Sequence, residues 1–229
     1  MASYLVLGAG KFGRLALERI GSLDEQAVFL VVDRLIQRLR AARNLTAAPV
    51  QCVEAEAIAF LTEHLRNGAA WDWLIPVIPG HVAFSWLRQG PLAGTGWEVA
   101  EVPEELAGLT PSAIRGREGE LYLSRALHLC PDDCAEPPVC PVTGEPREIP
   151  LFEELAALEV PGFKMFIIPS RQLAPGVGGY PPARLPALAD ALAAFRGKAL
   201  IATACRCHGV VHALLWRGGD KLAFRFPGV

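Results

Sequence analysis

Five of the six cysteines stand in two tight groups: Cys130, Cys134 and Cys140, then Cys205 and Cys207. Clustered thiols ligate metals or cycle between redox states. The start of the chain has no basic stretch of the secretory kind, so these readings come before structural disulfides. The first group runs Cys-x3-Cys-x5-Cys and is interleaved with Pro131, Pro137, Pro138 and Pro141. Proline disfavours both helix and ladder there, and the segment has almost no apolar content to fold around. A metal bound by three thiolates would hold it. The second group, Cys205-Arg206-Cys207-His208, follows an apolar run at residues 199–203 and supplies the remaining donor. His128 is a local rival for that place. Arg206 would favour the ionised form of a neighbouring thiol. His208 reads as a turn residue or an outer donor, His212 as a satisfied strand residue, and Cys52 as a small buried apolar group.

Two centres suit these donors. Zinc takes four cysteines, or three with one histidine. An iron–sulfur cluster takes four thiolates, and Cys130-Pro131 and Cys140-Pro141 resemble ferredoxin ligand loops. The spacing matches neither standard motif, and an adjoining dinucleotide fold tips the expectation toward iron–sulfur.

That adjoining fold is read from Gly8-Ala9-Gly10-Lys11-Phe12-Gly13, which follows an apolar strand at residues 4–7 and opens a helix. Gly8 permits the tight turn, Gly10 lets backbone approach a pyrophosphate, and Gly13 lets helix and strand pack closely. The phosphates would sit at the helix N-terminus, where unpaired N–H groups meet the positive end of the dipole. A second buried run ends in Asp33, 20 positions beyond Gly13, as a ribose-binding acid should. A carboxylate there favours NAD over NADP, while Arg34 next door keeps NADP open.

With these residues, positions 3–85 resemble the NAD-binding TrkA-N domain (the RCK N-terminal domain) of potassium-transport regulators. Phe12 before the third glycine fits that pattern. The resemblance implies a Rossmann-like fold, nucleotide binding at the glycine loop, and Glu54 near the adenine side. After the fourth strand the likeness ends, because Pro79-Gly80-His81 replaces the family's small-residue turn and acidic pair. His81 falls at the carboxyl edge of the sheet, either as an acid/base group near a nicotinamide or as a turn residue capping the next helix.

The elements that must position these groups alternate regularly. Strands at 27–32, 50–53 and 72–78 separate helices at 34–43 and 56–66, giving a doubly wound, Rossmann-like parallel α/β sheet over residues 1–100. Residues 101–229 read as a smaller α/β domain bearing the cysteine-ligated site. It has a helix at 182–195, a plain connection at 171–180 and an edge strand at 222–226.

The chain has 229 residues, 52% of them apolar, and a net charge of -2 from 22 basic and 24 acidic residues. That composition excludes a disordered chain and gives no electrostatic case for nucleic acid. No apolar run approaches the roughly 20 residues of a spanning helix, so no membrane insertion is expected and a cytoplasmic location is. The expected partners are a dinucleotide and either a protein partner or a second copy. Three functions follow: an NAD(H)-binding redox or redox-sensing protein with an iron–sulfur or zinc centre; a non-enzymatic nucleotide-dependent regulator of the potassium-transport type, as the resemblance implies; or an NAD-dependent dehydrogenase using His81, with structural zinc.

Overall fold

The computed structural model describes residues 1–65 and 70–218. Its first half contains β1 (Ser3–Leu7), α1 (Lys11–Leu23), β2 (Val28–Asp33), α2 (Ile36–Ala42), β3 (Val50–Glu54), α3 (Ala57–Leu65), β4 (Trp73–Pro76) and α4 (Val82–Gln89). The four strands are parallel, in the order β3-β2-β1-β4. Their near-continuous apolar character follows from burial on both faces. Val6, Phe29 and Val31 pack on Ala16, Leu17 and Leu39 of α1 and α2. Leu5, Leu7 and Val32 face the other way, onto Ile58 and Leu61 of α3 and Ala83 and Leu87 of α4.

The second half contains β5 (Trp97–Ala100), β6 (Ser112–Arg115), β7 (Leu121–Ser124), α5 (Leu151–Ala157), β8 (Phe163–Pro169), β9 (Arg171–Ala174), β10 (Val177–Gly179), α6 (Arg184–Ala193), β11 (Lys198–Ala204) and β12 (His208–Trp216). A mixed sheet runs β6-β7-β12-β11-β8, with β5 beside β7 along the long strand β12. Within it β8 is parallel to β11 and the other pairs are antiparallel. Along β11 the side chains alternate. Leu200, Ala202 and Ala204 pack on Leu151 and Leu155 of α5, whereas Ala199 and Ile201 join the cluster containing Leu5, Leu7 and Leu74.

Helices α3, α4 and α6 therefore lie between the two sheets. The shared core departs from the expected division at residue 100 in two ways. Strand β5, whose residues 97–100 fall on the first side of that division, pairs with β12, and a single cluster spans both sheets. Each Leu or Ile buried in it contributes about 1.5–3 kcal/mol, so neither half keeps its core without the other.

The expected plain connection at 171–180 is a β-hairpin of β9 and β10. It closes onto the edge of β4 through the Leu74 N–H to Tyr180 carbonyl bond (2.8 Å) and its reciprocal (3.0 Å). A Cβ at Gly179 would lie 2.7 Å from the Leu74 carbonyl oxygen. Glycine is what allows the approach. The strand expected at 222–226 lies outside the described residues. Among the described residues, no helix is long and apolar enough to cross a membrane.

Candidate metal centre beside the glycine loop

Strands β11 and β12 pair up to Ala204 and Gly209, so Cys205, Arg206 and Cys207 form the turn between them. The Cys205 N–H donates to the His208 carbonyl (2.8 Å) and closes that turn. The sheet thus presents Cys205, Cys207 and His208 at one end.

The proline-rich segment folds back over this turn without helix or strand, held by hydrogen bonds. The Cys134 carbonyl accepts from the Gly176 N–H (2.9 Å) and the Gln172 amide (2.7 Å), both on the β9–β10 hairpin. The Asp132 carbonyl accepts from Arg19 of α1 (2.6 Å), and its carboxylate meets Lys11 (2.5 Å). Arg206 donates to the Arg147 carbonyl (2.8 Å). Arg206 therefore serves backbone oxygens here and not the thiols expected from the sequence.

These ties bring the two cysteine groups together. Cys130, Cys134, Cys205, Cys207, His208 and Phe12 of the glycine loop line one pocket of ≈ 470 Å³. Glu136, Cys205 and His208 place one donor atom each within 4.8 Å of one another. Cys130 Sγ is 3.8 Å from His208 Nε2 and 4.0 Å from His128 Nε2, and Cys205 Sγ is 3.9 Å from His208 Nδ1. Cys140 stands apart. It is 2% exposed and sits behind Arg147, whose two terminal nitrogens donate to Cys140 Sγ and Cys207 Sγ, each at 2.8 Å. Cys52 contacts the Leu39 carbonyl, away from this site.

Burial, then the neighbouring Glu136 charge, pushes the Cys205 thiol up. Burial, then Cys134, does the same to Cys130. Burial also raises Cys207 against the pull of Arg147, and it lowers His208 below the usual imidazole value. Thiols crowded against a carboxylate resist ionising on their own. A cation among them reverses that penalty, so the donor set fits a metal. Sequence reasoning missed Glu136 and Arg147 and discounted His208. The one signal was the density of charged residues around the cysteines.

The glycine loop keeps its expected form. Gly8 has φ +108°, and a Cβ on Gly13 would lie 1.9 Å from the Gly8 carbonyl oxygen. Gly10 caps α1 with no side-chain hydrogen bond, and the first turn carries no acid. Asp33, 6% exposed, accepts the Ala9 N–H at Oδ2 and the Leu35 N–H at Oδ1, both at 2.8 Å. It orders the loop and the approach to α2, whose cap is Leu35. Arg38 reaches within 3.8 Å of the same carboxylate. Arg34 is exposed, and exposed Glu54 pairs in register with Asp33.

His81 takes the N-cap position of α4, as the turn reading expects, with no side-chain capping hydrogen bond. It is 3% exposed, with Nδ1 3.0 Å from His212 Nδ1 and Nε2 3.0 Å from the Thr203 hydroxyl. Both partners belong to the second sheet, so the ring points into the layer between the sheets and away from a ligand on the glycine loop. The acid/base role fails on access. His212 is a partner in this pair, with its Nε2 3.9 Å from Glu120.

A family profile described as "Uncharacterized protein, C-terminal domain" (AF_1314_C) matches residues 70–217, which include every candidate ligand above. A protein of Archaeoglobus fulgidus described as "Uncharacterized protein" is 30% identical over 221 residues, covering 92% of this chain and 98% of the relative. No solved structure matches. On the extent of both matches, the chain belongs to the AF_1314_C family.

Proposed function

We propose that the chain is an NAD(H)-binding redox or redox-sensing protein with a metal centre in its cysteine pocket. The observation that carries this reading is the pocket itself, where four cysteines and two histidines share walls with Phe12 of the glycine loop. Support for the nucleotide comes from the parallel sheet, the uncapped N-terminus of α1, and the close packing of Gly13 on Gly8. Phosphate at that helix end meets free N–H groups and the dipole. Asp33 at the end of β2, and Glu54 beside it in register, are the acids this reading assigns to a ribose and an adenine, and the resemblance to the TrkA-N domain points the same way. NADP is the variant that Arg34 and Arg38 would accept.

The pocket donors from which the metal's ligands would be drawn include Cys130, Cys134, Cys205, Cys207 and His208, with Glu136 beside them. Iron–sulfur would supply one-electron chemistry there, and zinc a Lewis acid or a structural clamp. A regulatory version, in which nucleotide occupancy is read by a partner, has its own support in the Lys11–Asp132 pair between α1 and the cysteine segment. The dehydrogenase version built on His81 is set aside because that ring is enclosed.

Calorimetric titration with NAD and NADP tests the cleft. Binding should be saturable, and Asp33→Arg should weaken NAD or turn preference toward NADP. A folded chain that binds neither nucleotide refutes the cleft. Broad visible absorption bleached by dithionite identifies iron–sulfur, whereas zinc alone ends the electron-transfer version.

A further inference from the structure

We infer that Glu136, Cys205 and His208 form an open three-ligand site for a single zinc-type divalent cation. Cys130 serves the imidazole as hydrogen-bond acceptor, and Cys140 and Cys207 stand outside the coordination sphere. The inference rests on the reading that this pocket holds a metal, and it specifies which atoms do so.

Three observations converge on it. The donor atoms of these residues already lie within 4.8 Å of one another. Around a tetrahedral zinc, ligand atoms stand roughly 3.3–3.6 Å apart, so only a small inward movement is needed. Two of the ligands, Cys205 and His208, are fixed on one hairpin turn. The third is carried by Glu136, the one non-glycine residue with positive φ (46°) among those described. A non-glycine side chain pays for that conformation, and the Arg206 N–H to Glu136 Oε2 bond (3.3 Å) holds the carboxylate over the turn.

Charge agrees with the geometry. One carboxylate and one thiolate neutralise a divalent cation while the imidazole adds no charge. Cys140 and Cys207 share the Arg147 guanidinium, which is 5% exposed. Recruiting Cys207 into an all-thiolate site would strip a buried cation of a partner.

The two faces of the imidazole divide the work. Nδ1 lies on the Cys205 side and Nε2 on the Cys130 side. With Nδ1 on the metal, Nε2–H donates to the Cys130 sulfur, an outer-shell bond that fixes tautomer and ring orientation. Three protein ligands leave the fourth position to the pocket of ≈ 470 Å³. An open position is the mark of a catalytic rather than a structural zinc, and the ligand it takes is water or the oxygen of a small carbonyl or carboxylate compound.

Cobalt loading of the metal-free full chain tests this. One Co²⁺ per chain should bind, with the optical bands of a low-symmetry site and a single Co–thiolate bond, and azide should shift those bands. Glu136→Gln, Cys205→Ser and His208→Asn should each weaken binding by at least tenfold. Cys130→Ser should weaken it less, and Cys140→Ser should leave stoichiometry and spectrum intact. Circular dichroism of each variant identifies loss through misfolding, and the azide response of the wild type does not depend on any variant folding. Metal lost in Cys140→Ser and Cys207→Ser but kept in Glu136→Gln and His208→Asn overturns this ligand set in favour of an all-thiolate centre. A spectrum indifferent to azide overturns the open position. A folded wild-type chain that takes up no metal ends both this inference and the metal reading beneath it.

Discussion

Lys11 Nζ lies 2.5 Å from the Asp132 carboxylate, joining the first residue of α1 to the segment that carries Cys130 and Cys134. Both side chains are substantially exposed, at 62% and 44%, so the pair adds no more than about 1 kcal/mol to stability. On the proposed reading the consequence is linkage: a phosphate bound at the α1 N-terminus would compete with Asp132 for the same ammonium. Asp132→Asn is expected to leave the melting temperature within a few degrees while tightening nucleotide binding severalfold by calorimetry. Weaker binding in that variant would show that Asp132 supports the cleft instead of competing with it.

Stability should fall as pH drops below neutrality because of His81 and His212. Burial, then the His212 charge, holds His81 well below the usual imidazole value, and burial lowers His212 to about 4 despite Glu120. The pair is held by two hydrogen bonds, and the buried His212 Nε2 has no hydrogen-bond partner among the described residues. Two neutral rings share one proton between His81 Nδ1 and His212 Nδ1, His81 Nε2 meets the Thr203 hydroxyl, and His212 Nε2 stands 3.9 Å from Glu120. Above about pH 6.5 both rings are neutral, folded or unfolded, and stability is at its full value. Below that the unfolded chain takes up protons that the folded one refuses. Each such proton costs about 1.4 kcal/mol per pH unit. Urea unfolding between pH 7.5 and 5 should show the decline, and His212→Asn should flatten it. A wild-type profile flat over that range would contradict the buried neutral pair.

Gly13→Ala should disrupt the glycine loop. Its Cβ would meet the Gly8 carbonyl oxygen at 1.9 Å, and backbone cannot step aside as a flexible side chain can. A cost of about 1–3 kcal/mol is expected, with loss of nucleotide binding. Thermal melts and calorimetry check both. A variant as stable as the parent would mean that helix and strand have slack the structure does not show.

Arg147 should be structurally indispensable to the cysteine segment. Replacing it by Met removes the guanidinium donor that the two buried sulfurs share and frees the segment from the β11–β12 turn, at about 1–3 kcal/mol. Arg147→Lys should rescue little, since one ammonium cannot reproduce the guanidinium fork. Maleimide labelling of Cys140, 2% exposed in the parent, should accelerate in both variants. Unchanged labelling would contradict the role.

What was legible in the sequence is what local constraint dictates. Gly8 and Gly13 announce the turn and the close packing because no other residue fits either place, and Cys205 and Cys207 at the end of an apolar run announce display at a strand end. Partners set by tertiary approach were hidden. Glu136 and Arg147 are ordinary charged residues until a proline-rich segment folds onto a turn some 60–70 positions away. His81 misled for the same reason: its position at the strand edge is as expected, but Thr203 and His212, more than 100 positions on, turn the ring inward.

The direct measurement is native mass spectrometry of the full chain purified anaerobically, read before and after acid unfolding. The folded chain should carry the added mass of a metal centre that disappears on unfolding, and should carry less of it, or none, in Cys205→Ser. A folded chain whose native and denatured masses agree would contradict the convergence of thiols, carboxylate and imidazole as a metal site.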